Sequence, residues 1–212
     1  MNTQLIIKIP GYTYNEYKIV LYPNADLSEK IRKIKNAFSE EFKIDMTFES
    51  KPALTLVNFI QFEMIEERLL NRFKTIATGC SAFKVELNGF GSLPSHTIFI
   101  NVESKQTLQN LSTELNTARQ LMTLNKENKP HFIRDPHFII AGKLLPWQYE
   151  KGWLRYSQQY FTGRFMANEM VLLKRPLSFI STTKENNKNF QVVERFEFMN
   201  LPVSTKQGDL FM

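Results

Sequence analysis

The feature that most limits how this chain can fold is an order of elements that occurs twice. Tyr17-Lys18-Ile19-Val20-Leu21-Tyr22 mixes β-branched and aromatic residues and stops at the turn signal Pro23-Asn24, as a strand does. Leu27, Ile31, Ile34, Phe38 and Phe42 then fall at helical spacing. Ala53 to Phe59 reads as a largely buried strand, and Phe62, Ile65, Leu69, Phe73 and Ile76 form the apolar face of a second helix. Phe83 to Phe90 alternates as a strand should and ends at the turn Gly91-Ser92-Leu93-Pro94. The second half starts again with a strand at Thr97 to Val102 and a helix marked by Leu108, Leu111, Leu115, Ala118 and Met122. A polar loop, Asn125 to Asp135, leads to a strand at His137 to Ala141 and a helix over Pro146 to Tyr160, with Pro146 in its first turn. Phe165 to Lys174 and Phe190 to Phe198 read as further strands. The repeated order predicts one α+β domain over 1–212 with two duplicated lobes, roughly 17–95 and 96–198, and a tail over 199–212. A cleft between the lobes is the expected ligand site.

Composition narrows the class. Of 212 residues 42% are hydrophobic, enough for a core and too many for a disordered chain. No stretch approaches the length of apolar chain that spans a bilayer, and Leu5-Ile6-Ile7 is cut short by Lys8 and Pro10, so neither membrane span nor signal peptide is expected. Cys80 is the only cysteine; it cannot form an internal disulfide and suits the cytoplasm. No Cys/His group has metal-binding spacing, so no cofactor or metal is expected. The net charge of +6 is compatible with a polyanionic partner such as RNA, and equally ordinary for a soluble protein.

Two internal strands share an opening. Each follows a proline: Pro52-Ala53-Leu54-Thr55-Leu56 in the first half and Pro136-His137-Phe138-Ile139-Ile140-Ala141 in the second. With the helix after each strand and the segment Phe83 to Gly91, this arrangement resembles the 2H phosphoesterase superfamily, which includes 2′-5′ RNA ligases and cyclic nucleotide phosphodiesterases. The resemblance extends over roughly Tyr17 to Phe198. It implies two antiparallel sheets facing a central cleft, with helices outside, and a His-x-Thr/Ser motif on one strand of each lobe. Residues two apart on a strand point the same way, so such a His and Thr both face the cleft. One imidazole then accepts a proton, the other donates one, and the hydroxyls bind phosphate oxygens without a metal.

This chain departs from that pattern twice. Ala53 stands where the first motif has histidine, and Ile139 where the second has a hydroxyl. Thr55 and His137 remain as the candidate catalytic and phosphate-binding pair, with Lys143 near the end of the second strand as a further phosphate contact. His96 is a possible replacement acid or base, although in His96-Thr97 the two side chains would point to opposite faces. His131, in the loop before the second motif, is another. Trp147, Tyr149, Trp153 and Tyr156 read as covering or core residues before they read as a base-stacking platform. Lys30 to Lys35 reads as a solvated helix face, and Cys80 as a small structural residue.

What the resemblance implies is a protein that binds RNA ends, 2′,3′-cyclic phosphates or 2′-5′ linked nucleotides, with catalysis lost or impaired. Two alternatives stand beside it. One is an active, metal-independent phosphodiesterase that uses His137 as its main acid or base. The other is a protein-interaction module that binds no phosphate.

Overall fold

The computed structural model describes residues 13–44, 51–94, 96–177 and 189–202. The Leu5-Ile6-Ile7 run and the tail beyond Pro202 lie outside the described residues. Strand β1 (Tyr14–Leu21) buries Tyr17, Ile19 and Leu21 on one face. Helix α1 (Ala25–Phe42) starts where Asn24 Oδ1 accepts from the Leu27 amide at 3.0 Å, and it buries Leu27, Ile31, Phe38 and Phe42. Strand β2 (Leu54–Phe62) continues through a single 3₁₀ turn, Glu63–Ile65, into α2 (Glu66–Gly79). Strands β3 (Phe83–Leu93) and β4 (Thr97–Val102) form a hairpin.

The expected helix over Leu108 to Met122 is two helices, α3 (Lys105–Asn116) and α4 (Arg119–Met122). Thr117 closes the first, its hydroxyl donating to the Glu114 carbonyl at 2.6 Å, so the period of the apolar residues survives a break in the backbone. The expected loop before the second motif carries a two-residue strand, β5 (His131–Phe132), and is followed by β6 (Phe138–Gly142). Helix α5 spans Pro146–Tyr156, shorter than the expected Tyr160 limit. The stretch Phe165 to Lys174 is not one strand but two, β7 (Thr162–Ala167) and β8 (Glu169–Pro176), parted at Asn168. Strand β9 (Gln191–Glu197) is the last described.

Among the described residues these strands form two antiparallel sheets. One has the order β5-β2-β1-β8-β9 and the other β6-β4-β3-β7. Each sheet draws strands from both halves, so the expected lobe boundary at 95/96 does not separate them. Strand β3 leaves the first half for the four-stranded sheet, while β5, β8 and β9 leave the second half for the five-stranded one.

Helices cover one face of each sheet. Helix α2 packs on the five-stranded sheet, with Phe73 edge-on to both Phe59 and Phe196. Helices α1 and α5 pack on the four-stranded sheet, where Gly152 lets Phe38 and Ile98 approach. Phe38, Phe73, Phe138 and Tyr17 are fully buried in one continuous core reaching both sheets. Burying side chains of this size contributes about 1.5–3 kcal/mol each. Among the described residues no helix packs on the opposite, helix-free faces, and the motif residues stand there.

Candidate functional site

On the five-stranded sheet, β2 alternates around a bulge. Leu54 and Leu56 face the core, a register shift follows, and then Val57, Phe59 and Gln61 face it. That leaves Ala53, Thr55 and Asn58 on the helix-free face. Thr55 lies opposite Val20 of β1, and Asn58 lies opposite Lys18. Ala53 packs against a small apolar floor of Val20, Val171 and Leu173, flanked by Tyr22 and Phe190. Cations ring this floor. Lys18 and Arg175 both lie over the Phe190 ring, at 4.3 and 4.6 Å from its centroid. Lys51 and Arg195 lie over Tyr22, at 4.5 and 5.9 Å. Arg175 pairs with Glu16 at 2.6 Å and Arg195 with Glu169 at 2.5 Å, so among the described residues two of the four bases are ion-paired.

On the four-stranded sheet, Phe138 and Ile140 are buried, which turns His137 and Ile139 to the helix-free face. Ile139 is half exposed and lies opposite Phe99 of β4. His137 stacks on that same Phe99, with ring centroids 4.0 Å apart and planes at 27°. Its Nδ1 is 2.8 Å from the Asp135 carbonyl oxygen. A carbonyl only accepts, so Nδ1 carries the hydrogen, and in the neutral ring Nε2 keeps its lone pair. Burial holds the His137 pKa below the ordinary histidine value, while the Asp135 carbonyl and carboxylate pull against it. The Asp135 carboxylate is itself paired with Lys105 at 3.1 Å. The neutral imidazole, a proton acceptor, is therefore the favoured form near neutral pH.

Gly91 of β3 makes this stack possible. It lies opposite Phe99, and a Cβ at Gly91 would come within 2.5 Å of both the Phe99 ring and Asn101 Oδ1. Sequence reasoning passed over Phe99, Gly91, Lys18 and Asn58. The alternation of β1 marked Lys18 as facing away from Tyr17 and Ile19, but no local pattern identifies the ring that histidine will rest on.

The remaining candidates separate. Lys143 follows β6 in a left-handed conformation, φ 55°, with its side chain exposed. His96 sits in the β3–β4 turn, where its Nδ1 contacts the Pro94 carbonyl at 3.1 Å and its own carbonyl accepts from the Leu144 amide at 3.0 Å. It is thus near Lys143 at the end of the four-stranded sheet, beyond the row that holds Ile139. Thr97, next to it, is buried. His131 is exposed on the edge strand β5 of the other sheet, opposite Asn58. Tyr156 is core, Tyr149 bonds Ser92 at 3.0 Å, and Trp147 is half exposed under Lys151. Cys80 is a free, half-buried thiol whose pKa burial raises, as suits a structural residue.

A cavity of about 620 Å³ opens elsewhere, between the start of α1 and strands β3 and β7. Asp26, Glu86 and Glu103 line it against Lys30 and Arg164, and neither Thr55 nor His137 does. Three acids against two bases make it a poorer anion site than the cation-ringed face. Among the described residues no group of three His, Cys, Asp or Glu is placed to hold a metal, and no helix is long and apolar enough to cross a membrane.

The sequence profile of the 2′-5′ RNA ligase superfamily matches residues 15–177. Among solved structures, the apo form of E. coli LigT is similar with TM-score 0.56 at 12% identity, covering 87% of this chain and 98% of that one. Its complex with 3′-AMP gives TM-score 0.56 at 12% identity over 88% and 98%. The Thermus thermophilus protein TT0787 gives 0.52 at 16% identity over 87% and 98%. At these identities the likeness is one of fold. No curated protein sequence matches the chain.

Proposed function

The chain belongs to the 2′-5′ RNA ligase superfamily, and from that premise we propose that it binds a phosphate-bearing ligand at the helix-free faces of its two sheets, with turnover lost or strongly impaired. The ligand class is an RNA end, a 2′,3′-cyclic phosphate or a 2′-5′ linked nucleotide. Thr55 and His137 touch the phosphate, and Lys143 contributes charge from the strand end. The observation that carries this reading is the state of His137: its Nδ1–H is held by the Asp135 carbonyl and its face by Phe99, while Ala53 offers no second imidazole. One fixed proton acceptor without its donor is a binding geometry before it is a catalytic one. A positioned acid or base contributes roughly 10²–10⁴-fold, so losing one removes about 3–5 kcal/mol of barrier lowering. The cations over Phe190 and Tyr22 support an anionic ligand. The single cysteine suits a reducing compartment, the cytoplasm.

The lowered pKa of His137 favours one second reading, a phosphodiesterase in which His137 alone works as general base. A turnover assay on 2′,3′-cyclic nucleotides and 2′-5′ linked dinucleotides, with EDTA present, decides between them. The expected result is no turnover but binding of 3′-AMP that His137→Ala weakens. Turnover that vanishes in His137→Ala would overturn the impaired reading. Neither turnover nor binding would make the chain a protein-interaction module.

A further inference from the structure

Lys18 and Asn58 lie opposite one another across β1 and β2 on the helix-free face, one diagonal step from Thr55. The side-chain carbonyl oxygen of Asn58 is buried and has no hydrogen-bond partner among the described residues. A buried acceptor left without a donor destabilises the fold, and native proteins keep few of them. Lys18 is the complementary case. Its ammonium rests over Phe190 and makes no ion pair among the described residues, because Glu16 is taken by Arg175. Burial lowers the Lys18 pKa most; the neighbouring Glu16 raises it and Arg175 lowers it again. Among the described residues, a cation without an ion pair therefore stands beside an acceptor without a donor, next to the retained motif hydroxyl.

We propose that Lys18 is a phosphate-contacting residue and that Asn58 positions its ammonium beside Thr55. The proposal rests on the phosphate-binding reading above. On binding, the Lys18 ammonium moves off Phe190, donates one N–H to Asn58 Oδ1 and directs the others to phosphate oxygens. The Thr55 hydroxyl donates to the same phosphate. The cation thereby partly replaces what Ala53 fails to supply on this sheet: it neutralises phosphate charge but moves no proton.

Calorimetric titration of the full chain with 3′-AMP tests this. Lys18→Met is expected to weaken binding tenfold or more, and Lys18→Arg to keep most of it; Lys18→Gln repeats the test should Lys18→Met fold poorly. Asn58→Ala is expected to weaken binding by a smaller factor and to melt no lower than wild type, since it deletes an unpartnered acceptor. The double variant Lys18→Met/Asn58→Ala should bind no more weakly than Lys18→Met alone, because Asn58 acts only through Lys18. A wild type that binds and a Lys18→Met variant that binds equally well would overturn the inference and leave the phosphate-binding reading standing. A wild type that binds no 3′-AMP overturns both.

Discussion

The two helix-free faces carry complementary halves of a reduced motif, and they carry them in different surroundings. On the five-stranded sheet Thr55 stands beside an apolar floor ringed by Lys18, Arg175, Lys51 and Arg195. On the four-stranded sheet His137 is fixed by Phe99 and Asp135, with the exposed Ile139 next to it. The first face holds charge and, at its edge strand, the exposed His131 opposite Asn58; the second holds His137 with little charge. On the proposed reading, the phosphate-binding charge and His137 stand on separate sheets, an arrangement that favours retention of a ligand over its conversion.

The largest expected effect comes from restoring what both faces lack. Ala53→His with Ile139→Thr should create cyclic phosphodiesterase activity, with the second imidazole alone contributing roughly 10²–10⁴-fold. Assay of the two single variants and the double variant for 2′,3′-cyclic nucleotide hydrolysis checks this. Ile139→Thr alone should give almost nothing, because the missing proton donor belongs to the other sheet.

A second change attacks the four-stranded face only. Gly91→Ala drives a Cβ into Phe99, and forcing one methyl into a filled site costs about 1–3 kcal/mol. Chemical denaturation measures that loss. NMR titration of His137 in the same variant should show its pKa rising toward the ordinary value, since Phe99 no longer covers the ring. An unchanged His137 titration would mean that Phe99 is not what desolvates it.

Lys143→Gly separates stability from binding. The left-handed backbone at Lys143 disfavours any side chain, so glycine should stabilise the chain by about 1 kcal/mol. The same variant should bind 3′-AMP less tightly than wild type. A gain in melting temperature with a loss of affinity is the expected pattern.

The smallest effect is that of pH on stability. His137 has a folded-state pKa below its unfolded value, so the unfolded chain takes up a proton first. Its contribution is fully present above about pH 6.5, the ordinary histidine value, and is lost as pH falls through the lowered folded value. In His137→Ala that part of the acid sensitivity should disappear from melting curves. Lys174 gives the opposite sign: burial lowers its pKa, but Glu66 and Glu63 raise it further, so its net raised pKa makes its contribution fade at high pH.

Much of the fold was legible in advance. Tyr17, Ile19 and Leu21 alternate, and Leu27, Ile31, Phe38 and Phe42 repeat every three to four residues, so their element types follow from local geometry. The departures Ala53 and Ile139 came instead from the family resemblance; the period of two adds only that each shares a face with Thr55 or His137. The failures were of another kind. Asn168 divides a run of strand-forming residues into β7 and β8, and nothing in the run says that its two parts join different sheets. Nor does local periodicity announce that β3 pairs with β7 from the far half of the chain.

What the sequence determined by itself, then, was the type and place of most elements and the two proline-led strands, because periodicity and side-chain type act within a few residues; the chemistry missing from those strands follows from the family resemblance. Tertiary structure alone decided which strands share a sheet, that Phe99 lies under His137 where Gly91 leaves room, and that Lys18 and Asn58, whose Oδ1 has no partner among the described residues, flank Thr55. Those facts depend on pairing and burial between residues far apart in the chain, where the entropy of closing long loops is offset only by the whole set of contacts at once.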